Sequence, residues 1–258
     1  MTTPLDDLFV KTRAENRAAL IAYIPAGFPS VEGCKKVIQA FVDGGVDAIE
    51  IGFPYSDPVM DGPTIQAAAD QSLAQGTGAK EVFEALKVAT EAGVAAVVMT
   101  YWNPIEKYGV EKFAQSIADN GGSGVITPDL TIEESASWKE AVEKTGINPI
   151  YVVAPSTTDS RLPQVTSRCS GFVYAASLMG VTGTRTAVSS GAPDLVARIR
   201  TLRNFLSLSV SEYQRVSKQR ALQGMQMASL WVLHLLRPYL MLPMKQPELR
   251  LLKCSHLN

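Results

Sequence analysis

Six short apolar runs punctuate residues 1–203: Ala19–Ile24, Ala48–Gly52, Ala95–Thr100, Gly124–Thr127, Pro149–Val153 and Gly171–Ala175. Each is rich in Val, Ile or Ala and bounded by Gly or Pro, the pattern of a strand buried on both faces. Between them lie amphipathic stretches that predict helices, at Val31–Asp43, Ala79–Glu91, Val110–Asn120, Thr131–Lys144, Arg161–Ser167 and Ala192–Arg200. A further helix around Leu5–Asn16 is expected to lie across one end. Strand–helix alternation gives a parallel sheet with right-handed crossovers. Six such units fill the first 203 residues, and two more complete an eightfold barrel of ~250 residues. The predicted class is therefore α/β, a (β/α)8 TIM barrel. A doubly wound open sheet is the alternative, but no Gly-x-Gly-x-x-Gly follows the first strand, which weakens a dinucleotide-binding version.

Composition then breaks the chain in two. The whole has 258 residues with a formal charge of −1, which argues against a nucleic-acid or anionic-membrane partner. Residues 1–203 hold 17 Lys/Arg against 23 Asp/Glu, whereas residues 204–258 hold 7 against 2. Eighteen of the 19 glycines fall in the first part, and both histidines and 13 leucines in the second. One fold rarely changes composition so sharply. The expected division is thus a barrel portion, 1–203, and an aberrant leucine-rich basic tail, 204–258. Cys34, Cys169 and Cys254 are far apart with no C-x-x-C, which speaks against a zinc site or a disulfide framework and fits a reducing cytoplasm. No signal peptide and no membrane span are expected.

The active site of such a barrel lies at the C-terminal ends of its strands. With a period of two, Ile49 and Ile51 face the helices while Ala48, Glu50 and Gly52 face the axis. A carboxylate inside the barrel is costly unless paired or neutralised, and a raised pKa suits a general acid near neutral pH. A structural glutamate bonded to backbone is the competing reading. The following loop carries Asp57 and Asp61 beside Pro58 and Gly62. Asp57 reads as turn chemistry and Asp61 as the residue that points into the mouth. No histidine occurs before residue 204, so carboxylates must move any proton there. Gly180-Val181-Thr182-Gly183 reads either as a mobile loop able to close over a ligand or face a phosphate, or as a plain surface turn. Tyr101-Trp102-Asn103-Pro104 puts aromatic rings at a strand end, where they line a pocket or pack under the loops.

Together these segments resemble the tryptophan synthase α-subunit family over residues 5–203. The specific stretch is Glu50-Ile51-Gly52-Phe53-Pro54-Tyr55-Ser56-Asp57-Pro58, continued by Asp61-Gly62-Pro63-Thr64-Ile65-Gln66; Tyr23–Pro29, Met99–Pro104, Thr127–Leu130 and Ser177–Gly183 support it. The resemblance implies a TIM barrel, a lyase, and retro-aldol cleavage of indole-3-glycerol phosphate to indole and glyceraldehyde 3-phosphate, in L-tryptophan biosynthesis. It implies no cofactor in this subunit. Glu50 is then the acid/base acting on the indole ring carbon, and Asp61 the acceptor of the indole N–H. Thr182 positions Asp61 on closure beside Gly183, and Tyr174, Tyr101 and Tyr23 line the substrate pocket. A PLP-dependent β subunit is implied as partner in an α2β2 heterotetramer, docking near Asp57, Pro58, Asn103 and Asp129.

The tail departs from the family, whose strands 7 and 8 read like P-V-G-V-G-F-G-I and D-G-V-I-V-G-S-A. Gln226–His234 can be encoded CAG ATG GCG TCA TTG TGG GTT CTG CAT, which reads D-G-V-I-V-G-S-A from the last base of its first codon. In the same shifted frame Leu208–Glu212 reads P-V-G-V-G. A frameshifted translation beyond residue 203 is therefore expected, with the last two βα units lost or scrambled, sheet edges exposed, low stability and little activity. A helix around Ser217–Leu236 is the one element the tail predicts. Two other functions compete: an impaired α subunit that only binds its β partner, and another phosphate-binding barrel enzyme.

Overall fold

A computed structural model describes residues 2–176, 191–202, 207–210 and 228–231. The chain opens with helix α1 (Pro4–Ala14). Thr3 caps it reciprocally with Asp6: the Thr3 hydroxyl accepts the Asp6 N–H, and the Asp6 carboxylate accepts the Thr3 N–H at 2.8 Å. Strands and helices then alternate: β1 (Leu20–Pro25), α2 (Val31–Asp43), β2 (Ala48–Gly52), α3 (Pro63–Ala74), α4 (Ala79–Glu91), β3 (Ala95–Met99), α5 (Trp102–Tyr108) and α6 (Val110–Asp119). They continue through β4 (Gly124–Thr127), α7 (Ala136–Thr145), β5 (Asn148–Val153), α8 (Leu162–Thr166), β6 (Val173–Ala176), α9 (Gly191–Leu202), β7 (Ser207–Val210) and β8 (Ala228–Trp231). The eight strands pair in parallel and in sequence order into a closed barrel, β8 returning to β1.

The two sides of each strand bury different cores. Ile49 and Ile51, with Ala22, Ile24, Ala96, Val98 and Val125, pack against the surrounding helices. Ala48, Ile21, Val97, Ile126 and Ile150 face inward and form the floor of the barrel with Leu5 and Phe9 of α1. The Phe9 ring meets Phe172 edge-on at 5.8 Å. The α1 cap is tied to this floor, since Asn148 Nδ2 donates to Thr3 Oγ1 at 2.8 Å. An apolar plug thus closes one end of the barrel and leaves polar side chains for the other.

The tail differs from expectation in two ways. The exposed edge expected after β6 is filled: β7 pairs with β6 from Val173↔Ser207 to Ala176↔Val210, and β8 pairs with both β7 and β1. Backbone ladders need no particular side chains, so an extended segment of unusual composition still satisfies the N–H and C=O groups of a barrel edge. Of the stretch Ser217–Leu236, expected as a helix, the described part Ala228–Trp231 is a strand, and the rest lies outside the described residues. β8 falls inside the segment that reads D-G-V-I-V-G-S-A in the other frame, and β7 overlaps the one that reads P-V-G-V-G.

Candidate active site

Glu50 sits at the middle of β2, paired in register with Tyr23 of β1 and Val97 of β3, so the three side chains share one level of the interior. It is 1% exposed, and its Oε2 has no hydrogen-bond partner among the described residues. Burial first, and the nearby Asp61 charge second, push its pKa up to about 8. The reading of a structural glutamate satisfied by backbone does not fit that unpartnered oxygen.

Asp61 reaches the same space from the loop between β2 and α3. Its N–H donates to the Pro58 carbonyl at 3.0 Å, and its own carbonyl accepts from Gln66 Nε2 at 2.9 Å. Burial raises its pKa to about 6, opposed by a hydrogen bond from the Tyr101 hydroxyl. Near neutral pH the two carboxyl groups therefore differ: Glu50 keeps its proton and Asp61 gives its proton up. Two carboxyls pushed apart in this way form an acid and an anion side by side.

Three tyrosines surround the pair. Tyr23 is buried, and its phenol is held neutral chiefly by burial and then by Asp61 and Glu50. Tyr174, on β6, feels burial first and then the same two carboxyls. Tyr101 follows β3 at the start of α5; its hydroxyl accepts the Met60 N–H at 2.9 Å, and its ring lies 5.2 Å from that of Tyr55. The predicted trio of Tyr23, Tyr101 and Tyr174 is thus gathered around Glu50 and Asp61. Thr182 and Gly183 lie outside the described residues, as do the loops after β7 and β8.

The four rim residues fall along one arc of the mouth. Asp57 is exposed and takes a 2.6 Å hydrogen bond from the Ser56 hydroxyl, a side-chain partner rather than the backbone bond that turn chemistry would give it. Pro58 is half-buried beside it. Asn103 Nδ2 donates to the Tyr55 hydroxyl at 3.0 Å, and Asp129 accepts the Trp102 N–H at 2.9 Å. Val59, 69% exposed, projects from the same arc. Among the described residues no cluster of three His, Cys, Asp or Glu side chains could hold a metal ion, and no helix is long and apolar enough to cross a membrane.

Comparison with known proteins decides the family. The family model described as tryptophan synthase alpha chain matches residues 9–210. The chain belongs to the tryptophan synthase alpha chain family. A relative of that name from Thermobifida fusca is 55% identical over 200 residues, covering 78% of this chain and 74% of the relative. One from Streptomyces avermitilis is 53% identical over 197 residues, 76% of this chain and 71% of its own length. Among solved structures, Mycobacterium tuberculosis tryptophan synthase superposes with a TM-score of 0.84 at 42% identity, covering 90% of this chain and 89% of that one. Membership makes this chain a lyase of tryptophan biosynthesis, and the family's reaction is cleavage of indole-3-glycerol phosphate. It also removes the reading as a different phosphate-binding barrel enzyme.

Two contributors to this α-chain site were not singled out from sequence. Gln66, one turn into α3, anchors the carbonyl of Asp61; its place in the family stretch was visible, but not its direction. The Met60 amide is invisible by nature, because a backbone N–H leaves no trace in residue identity.

Proposed function

We propose that Glu50, as the neutral acid, protonates the indole ring carbon that carries the glycerol phosphate chain, while the Asp61 carboxylate accepts the indole N–H. The positive charge of the protonated ring then sits on the nitrogen, against Asp61. The Glu50 carboxylate takes the proton of the adjacent side-chain hydroxyl, and the carbon–carbon electron pair returns to the ring. Indole and glyceraldehyde 3-phosphate are released, and Glu50 is again protonated. One observation carries this reading: two buried carboxyls at the barrel mouth, one raised to about 8 and the other to about 6. Tyr23, Tyr101 and Tyr174 supply aromatic walls for a flat substrate. In this scheme the subunit needs no cofactor of its own.

Cleavage should then follow a bell-shaped pH profile. Below about 6 Asp61 is protonated and loses its negative charge; above about 8 Glu50 is ionised and has no proton to give. Because the two groups interact, the limbs belong to the pair. kcat/KM for indole-3-glycerol phosphate measured from pH 5 to 9.5 is expected to peak between the limbs. A plateau extending past pH 9 would remove Glu50 as the acid.

The rim of Asp57, Pro58, Asn103 and Asp129, with exposed Val59, is proposed to receive a PLP-containing β subunit in a cytoplasmic α2β2 assembly. Support comes from the family and from the apolar and acidic side chains brought together there. Binding to a β subunit without cleavage would instead favour a chain that serves only its partner.

Residues 204–258 are proposed to be translated in a shifted frame. The break in charge, glycine and leucine content at residue 203 supports this, as does the end of the family match at residue 210. Met227 and Trp231 have single codons, yet both fit the alternative reading. Sequencing across codons 200–210 should reveal one inserted or deleted base, and restoring the frame should raise cleavage by supplying the family's phosphate loops. An unbroken frame would end the idea.

A further inference from the structure

We propose that Tyr101 is a positioning residue for Asp61: its phenol oxygen takes the Met60 amide proton, and its own proton goes to the Asp61 carboxylate. The proposal rests on the role given to Asp61 above and explains how that side chain is held. Direction follows from elementary chemistry. The Met60 N–H can only donate, and it does so to the Tyr101 oxygen at 2.9 Å. The phenol hydrogen is then left for its other partner, the Asp61 carboxylate one residue further along the same loop.

One hydroxyl therefore grips two consecutive residues of the β2–α3 loop, once through backbone and once through side chain. The rest of that loop is held mainly by its own turns, Val59 N–H to the Asp57 carbonyl at 2.9 Å and Asp61 N–H to the Pro58 carbonyl at 3.0 Å. Gln66 anchors it on the α3 side and Tyr101 on the β3 side. Tyr101 is itself fixed. Its ring is 3% exposed and stacks at 33° on Tyr55, whose hydroxyl is held by Asn103. The next residue, Trp102, is pinned through its N–H to Asp129, at 2.9 and 3.1 Å to the two carboxylate oxygens.

Among the described residues the titratable groups facing Asp61 are Glu50 from β2, Tyr23 from β1, Tyr174 from β6 and Tyr101 from the end of β3; Asp129 lies beyond Tyr101. None of these is a cation. Among them only the Tyr101 hydroxyl favours the ionised form of Asp61, against the burial that disfavours it. Burial and the Asp61 charge hold the Tyr101 phenol well above its usual range, so it stays a donor throughout the working pH.

The test is a carboxyl-carbon NMR titration of the full chain labelled at aspartate, with the Asp61 signal assigned by its loss in Asp61→Asn. In Tyr101→Phe, which keeps the ring and removes the hydroxyl, the Asp61 midpoint should rise from about 6 by ~1 unit, the effect of deleting one hydrogen bond to the charged form. The acid limb of kcat/KM should move with it, and kcat should fall ~10-fold while KM changes little, as for an interaction made mainly in the transition state. A 3-fluorotyrosine at position 101 preserves the packing and makes the phenol a stronger donor, so the midpoint should move down instead. That variant decides the matter if Tyr101→Phe does not fold. A merely structural Tyr101 would lower the melting temperature and leave the Asp61 midpoint in place; an unmoved midpoint in both variants overturns the proposal. Unchanged cleavage in Asp61→Asn would overturn the role of Asp61 itself, a different result.

Discussion

Glu50→Gln is expected to stop indole release and, at the same time, to make the fold more resistant to denaturant as pH rises. The first effect follows from the loss of the only proton donor proposed at the mouth. General acid catalysis is worth ~10²–10⁴ in rate, and the amide cannot replace it. The second follows from burial. Glu50 has a folded-state pKa of about 8 against an ordinary 4.5. Between those values the unfolded chain has released a proton that the folded chain still binds. Stability from this group is full below the unfolded pKa and declines by ~1.4 kcal/mol per pH unit until the folded pKa is passed. Glutamine carries no such proton, so the variant lacks this decline. Any fixed cost of seating an amide there is the same at every pH, which makes the slope the readout. Urea midpoints at pH 5, 7 and 8.5 should show the difference growing in favour of the variant. Equal slopes would mean that Glu50 is not buried as a neutral acid, and undiminished cleavage would take it out of the reaction.

How much of this was legible beforehand depended on the kind of force that places each residue. Ile49 and Ile51 alternate with Glu50 in a run bounded by glycine, and a period of two leaves Glu50 only the barrel axis to face. Strand pairing then did the rest, bringing Tyr23 level with it. The direction of Asp61 was harder to read, because an aspartate beside glycine equally describes a turn. Its one side-chain partner among the causes of its shift lies far away in sequence: the hydroxyl of Tyr101, forty positions on, bonds its carboxylate. Helix α5 was not anticipated, since Pro104 in its first turn and the aromatic Tyr101 and Trp102 read as loop, whereas proline is tolerated there. Helix α7 starts five residues later than expected, the segment before it being held in turns by the Ser135 hydroxyl on the Ile132 carbonyl. The tail shows the opposite limit. Composition marked it as foreign to the barrel, yet composition says nothing about backbone hydrogen bonding, and short extended segments close the sheet all the same.

Gly52→Ala tests whether the site needs Tyr23 where it stands, and its effect should fall on cleavage more than on folding. A Cβ at position 52 would lie 2.3 Å from the Tyr23 hydroxyl oxygen and 2.7 Å from the carbon that bears it, closer than real contacts permit. On an exposed side chain such a clash would be relieved by rotation. Tyr23 is only 6% exposed and lies level with Glu50, so its ring must move within the space proposed for the substrate. Overpacking by one methyl group costs ~1–3 kcal/mol of stability, whereas a displacement of about 1 Å in a reacting geometry can cost ~10²-fold in rate. Gly124→Ala supplies the contrast. There a Cβ would lie 2.6 Å from the backbone oxygen of Asn148, on the floor of the barrel rather than at its mouth. Backbone cannot swing aside, so that variant should lose stability while its folded fraction cleaves normally. The two alanines are to be compared by urea midpoint and by kcat/KM per folded molecule. If Gly52→Ala keeps full kcat/KM, Tyr23 has room to spare and is no wall of the site; if both variants lose activity in proportion to stability, the mouth is no more sensitive to packing than the floor.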